Sequence, residues 1–208
     1  VDLQYYGANC IRISTKKVTV VIDDNLDELG LKSITKPTDV VLSTDGQDHH
    51  ADTAQFAISA AGEYEVLDVS ISGVAARAHI GEPGTKQAVM YRLIIDDVRI
   101  GVVGHIHPDL SETQLEALGV VDVLFVPVGG NGFTLDGLGA LKIIKAVEPK
   151  IVIPTSYADK DVKYPVVATE LEEALKVVSM EAGEPLDTLK LKGSDMPEGA
   201  KLIVLKRQ

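Results

Sequence analysis

Short runs of β-branched and aliphatic residues, separated by turn formers, dominate the first half of the chain. Residues 3–6, 11–14 and 18–22 read as strands, broken by Gly7-Ala8-Asn9 and by Thr15-Lys16-Lys17. Residues 26–34 keep neither a helical nor a strand period, and Pro37 stops them ahead of a continuous apolar run at 40–42, the mark of a fully buried strand. A short helix is predicted to start within 51–56, with a strand at 57–60. A meander follows over 64–67, 69–77, 88–94 and 99–103, with Asp96-Asp97 as the hairpin turn between its last two strands. The pattern then changes. A strand at 121–127 leads through Gly129-Gly130-Asn131-Gly132 to a helix at 138–147, capped by Thr134 or Asp136 and ended by Pro149. A strand at 151–153, an amphipathic helix at 169–181 and strands at 186–191 and 201–206 complete the chain. Many strands followed by strand–helix alternation predict an α+β fold, with sheets sandwiched by helices.

Composition narrows the partners. The chain has 208 residues, 45% of them hydrophobic, enough to bury a large core in a single domain spanning 1–208. Lys plus Arg number 20 against 31 for Asp plus Glu, a net charge of −11. Such a surface repels phosphate backbones and anionic membranes, so a small-molecule ligand or substrate is expected, not nucleic acid or a membrane. A nuclease is disfavoured on the same ground. Cys10 is the only cysteine, so no intrachain disulfide forms, and it is expected to be a small buried residue. No signal peptide or spanning apolar run is apparent, which reads as a cytoplasmic protein. A homo-oligomer is compatible with the sequence.

The candidate chemistry centres on the stretch D-V-V-L-S-T-D-G-Q-D-H-H, from Asp39 to His50. A buried strand ending in carboxylate and imidazole groups is a common way to present metal ligands, although an isolated D-x-x-D-H-H is more often an exposed turn. The five histidines are His49, His50, His79, His105 and His107. Each stands at or just past the end of a predicted strand, where the sheets of a sandwich converge on one rim.

The order of blocks Y-Y-G-A-N-C-I-R-I, V-V-I-D-D, T-D-V-V-L-S-T-D-G-Q-D-H-H, G-E-Y-E-V, A-R-A-H, G-V-V-G-H, D-V-L-F-V-P-V-G-G-N-G-F-T-L-D and P-K-I-V-I-P-T-S-Y resembles the metallo-β-lactamase-fold hydrolases. Within them it looks most like the compact ascorbate-6-phosphate lactonase-like branch. The resemblance covers residues 3–158. It implies an αββα sandwich of two mixed β-sheets flanked by helices, with a metal site at one rim. Laid on Thr44–His50, the family's T-H-x-H-x-D-H keeps only His50. Asp45 and Gln47 replace the first two histidines, and His49 replaces the aspartate. His79 matches the next ligand. His105 falls on the bridging aspartate, and Ser156 on the last histidine.

These exchanges weaken a two-ion centre, because an amide oxygen is a poor zinc ligand and a neutral imidazole does not bridge two ions. One divalent ion, zinc or manganese, held by some of Asp45, His50, His79 and His105 remains open, with its water attacking a small ester, lactone or phosphorylated metabolite. Asp48 or His49 would then be the catalytic base. The alternative is a metal-free, catalytically silent fold member that acts as a binding or structural subunit. Asp23 stands where the family keeps a supporting aspartate, and Asp24 reads as a solvated turn carboxylate. Gly129–Gly132 reads as a tight strand-to-helix turn, and Tyr157 as a packing residue.

Overall fold

The computed structural model describes residues 1–85 and 87–208. In chain order the strands are β1 (Asp2–Gly7), β2 (Cys10–Ser14), β3 (Thr19–Ile22), β4 (Val40–Leu42), β5 (Phe56–Ile58), β6 (Gly62–Val66), β7 (Val69–Ala76), β8 (Ala88–Ile95) and β9 (Val98–Val102). Helix α1 (Glu112–Leu118), β10 (Val123–Pro127), α2 (Gly137–Val147), β11 (Ile151–Thr155), α3 (Leu171–Val178), β12 (Leu189–Lys190) and β13 (Lys201–Leu202) follow. One mixed sheet runs β12-β1-β2-β3-β4-β5 and the other β13-β11-β10-β9-β8-β7-β6.

The two sheets face one another across the main core. Leu3, Ile11, Ile13, Ile22 and Leu42 from the first meet Ile71, Leu93, Ile100, Phe125 and Ile153 from the second. Fully burying a side chain of this size contributes about 1.5–3 kcal/mol. The strand β10 shows why the central strands read as unbroken apolar runs. Val123 and Phe125 point into this core, while Leu124 and Val126 pack with Leu118, Ile143, Ala174 and Val178 of the helices on the other face. Both faces are covered, so no polar position alternates. The three helices cover the second sheet only. The outer face of the first is closed by Leu26, Leu31 and Ile34 from the irregular segment after β3, packed on Cys10, Val21 and Val41.

Several local readings shift. The expected helix at 51–56 is a single turn, in which Thr53 and Ala54 N–H groups donate to His50 O. Gln55 N then donates to Asp39 O and draws the chain into β5 beside β4, so that strand begins at Phe56 and the expected strand at 57–60 ends at Ile58. Helix α1 has no counterpart in the sequence reading. Its start is a capping box, with Ser111 and Gln114 bonding each other's backbone, an S-x-x-Q signal that was legible. Asp136, not Thr134, caps α2, accepting from Gly139 N at 2.8 Å. Asp96 and Asp97 are both left-handed, as a type I′ hairpin requires. The C-terminal strands shrink to residue pairs. Among the described residues, no helix is long and apolar enough to cross a membrane.

Candidate functional site

The site begins where β3 and β4 run parallel and end together. Asp23, just past β3, is buried and accepts from Thr44 N (2.6 Å), Thr44 Oγ1 (2.6 Å) and Asn9 Nδ2 (2.5 Å). Asn9 Oδ1 in turn accepts from Thr155 Oγ1 at 2.6 Å. This buried chain ties the ends of β3, β4 and β11 and the β1–β2 turn to one another. Burial raises the Asp23 carboxyl to about 6, against the hydrogen bonds from Thr44 and Asn9 that lower it. Asn9 escaped the sequence reading, although the polar residue inside the otherwise small and apolar A-N-C block was its signal. Gly104, at the end of β9, lies against Thr44 with a left-handed φ of 61°, so only a residue without Cβ brings the next one, His105, this close.

Asp24 is not a solvated carboxylate. It is 0% exposed, and its Oδ2 accepts from Ser33 Oγ, Ile34 N, Thr35 N and Thr35 Oγ1. It anchors the loop that covers the first sheet. It also accounts for the position of His50. That residue is left-handed (φ 54°), its carbonyl closes the 50–54 turn, and its Nε2 lies 3.9 Å from Asp24 Oδ2.

Above this network lies a cavity of about 800 Å³. Asp45, Gln47, His79, His105, Phe133 and Ser156 line it, with Ala60, Ala61, Ala75, Ala78, Ile80 and Val89 as apolar wall. His79 and His105 are joined through the backbone, His79 N donating to His105 O at 2.7 Å, beyond the end of β7. His105 Nδ1 lies 2.8 Å from Thr134 Oγ1, and its ring packs 5.2 Å from that of Phe133. Burial pushes the His105 imidazole down to about 4, outweighing the opposite pull of Asp45, so it is neutral at pH 7. Ser156 follows β11 in a left-handed conformation (φ 57°), is 2% exposed, and its hydroxyl has no hydrogen-bond partner among the described residues.

Asp45 is already engaged. One oxygen accepts from Gln47 N at 2.9 Å and the other lies 2.8 Å from His49 Nε2. Burial opposes ionisation, but His49 and the Gln47 N–H outweigh it and hold Asp45 below the usual carboxylate range. The same bond raises His49.

The structure therefore brings Asp45, His79 and His105 to one cavity and leaves His50 on Asp24. The catalytic candidates do not line it. His49 sits behind Asp45, and Asp48 accepts from Ser59 Oγ. His107 turns away, 3.5 Å from Asp109. Tyr157 packs on Tyr5, as a core residue would. Gly129 passes so close to the Ser156 carbonyl that a Cβ would collide with it, which makes Gly129–Gly132 a tight turn into α2. Among the described residues, no three His, Cys, Asp or Glu side chains are arranged to hold a metal ion. The donor set, as placed, does not fit one.

Residues 2–156 match the family described as the β-lactamase superfamily domain. The chain belongs to that superfamily. Within this superfamily, a stretch of 53 residues is 45% identical to a UPF0173 metal-dependent hydrolase of Carboxydothermus hydrogenoformans, covering 26% of this chain and 21% of that protein's length. Solved superfamily folds overlay throughout. A candidate Zn-dependent hydrolase of the metallo-β-lactamase superfamily from Thermotoga maritima covers 98% of both chains at 23% identity and a TM-score of 0.74. A metallo hydrolase from Ignicoccus hospitalis covers 100% of this chain and 95% of its own at 18% identity and a TM-score of 0.64. At these identities the overlays establish the shared sandwich.

Proposed function

We propose that this superfamily member keeps the rim cavity as a small-molecule site while dispensing with the metal centre of its relatives. One observation carries the reading: Asp45 and His105, two of the side chains at the family's ligand places, are bonded to other protein groups. Asp45 is held by His49 and Gln47 N, His105 by Thr134, and His50 rests near Asp24. What remains is a half-open cleft with a mixed apolar and polar lining, a form that accepts small molecules. Among the described lining residues there is no lysine or arginine to pair with a phosphate.

A second reading is supported by the shared lining of Asp45, His79 and His105 and by the names of the relatives. It is a hydrolase of a neutral ester or lactone that uses one ion. It requires Asp45 to release His49 and the three side chains to turn toward a common point.

Metal content separates the two. Protein supplemented with zinc and manganese and then desalted is expected to hold less than about a tenth of an equivalent of either, with no heat of binding on titration. One bound equivalent that disappears in both His79→Ala and His105→Ala overturns the metal-free reading.

A further inference from the structure

The cavity's polar end is asymmetric in charge. Asp45 is the one carboxylate among the described lining residues, which include no lysine or arginine. Its partner His49 is not among the described residues that line the cavity, while Asp48 belongs to the same loop and buried Asp23 accepts from Thr44. The whole chain adds a net charge of −11, which favours the approach of cations. A separate observation points to a ligand. Ser156 is 2% exposed and lines this cavity, and its hydroxyl has no hydrogen-bond partner among the described residues, so it is free to meet a ligand there. His105, with Nδ1 committed to Thr134, has no partner for Nε2 among the described residues. One part of the wall is formed by Ala60, Ala61, Ala75, Ile80 and Phe133, suited to an apolar body.

From this juxtaposition we infer that the cavity takes a small organic amine. Its ammonium group sits against Asp45, its neutral polar contacts come from Ser156 and His105, and its hydrocarbon part lies along the alanine wall and Phe133. The inference rests on the small-molecule reading above and adds the charge of the ligand. An ammonium gains a charge-assisted hydrogen bond at Asp45, and the Phe133 ring is a second attractive surface for it. A carboxylate of the same shape meets Asp45 as a like charge.

Three probes with one hydrocarbon body test this: phenylethylamine, phenylethanol and phenylpropanoate, measured by ligand-observed NMR and calorimetry near neutral pH. The amine is expected to bind at least about tenfold more tightly than the carboxylate, with the alcohol between them. Asp45→Asn should bring the amine to the level of the alcohol and leave the alcohol unchanged. If that variant does not fold, added salt should weaken the amine and not the alcohol in the wild-type protein. Equal or tighter binding of the carboxylate overturns the inference and leaves the small-molecule reading standing, as does amine preference that survives both Asp45→Asn and salt. Failure of all three probes overturns the small-molecule reading and the inference with it.

Discussion

Gly104→Ala offers the sharpest probe of how the rim is built. At φ 61°, alanine carries a conformational penalty of about 1 kcal/mol. The larger effect is steric. The new Cβ would overlap Thr44 Oγ1 and stand 2.5 Å from Thr44 Cβ, so Thr44 must move. Thr44 gives two hydrogen bonds of 2.6 Å to the buried Asp23 carboxylate, and bonds to a charged acceptor are each worth about 1.5–3 kcal/mol. Losing or stretching both, with the backbone strain, should cost roughly 3–5 kcal/mol. Gly132→Ala is the matched control. Its φ is 74° but nothing lies within 4 Å of its would-be Cβ, so only the conformational penalty of about 1 kcal/mol applies. Urea unfolding followed by far-ultraviolet dichroism measures both, with midpoints compared at unchanged slope. A Thr44→Gly background removes both clashing atoms, and there Gly104→Ala should fall to about 1 kcal/mol. If Gly104→Ala and Gly132→Ala cost the same within about 0.5 kcal/mol, the close approach is not what holds His105 at the cavity, and the account of the rim fails.

Two further outcomes follow from the same structure. Asp122 accepts from Arg99 N (2.9 Å) and from its guanidinium. Burial opposes its ionisation, but these bonds outweigh burial and hold it below the usual carboxylate range. A depressed native value means the stabilisation is present above the unfolded value of about 4 and is lost as pH falls through the native one. Asp122→Asn should therefore cost about 1–2 kcal/mol at neutral pH, discounted because the Arg99 side chain is partly solvent-exposed, and should flatten the acid limb of a stability–pH curve; an unchanged limb would refute the assignment. Cys10 is fully buried, and burial, with Asp24 and Asp23 nearby, raises its thiol well above the ordinary value. It should resist a thiol-reactive dye in the native protein and react at the rate of unfolding, which rapid labelling without denaturant would contradict.

The sequence read alone pointed to the sandwich, through continuous apolar runs at 121–127 and 151–153 that read as buried strands and through the order of blocks that resembles the family. It also singled out Asp45, His79 and His105, each just past a predicted strand, whereas their meeting at one cavity was decided by the packing of the sheets. It did not determine which side chains meet. His50 is the family's retained ligand by position, yet a left-handed backbone and the buried Asp24 carboxylate draw it away. Asp45 was legible as a candidate ligand, but its commitment to His49 depends on the turn at Gly46, a local geometry no spacing rule specifies. The pairing of Asp23 with Asn9 and Thr44, and the unpartnered Ser156 hydroxyl, join residues that lie far apart along the chain. Periodicity reports which face of an element is buried, whereas a site depends on the directions of individual side chains at strand ends, and those are set by backbone turns and close approaches that exist only once both sheets have packed.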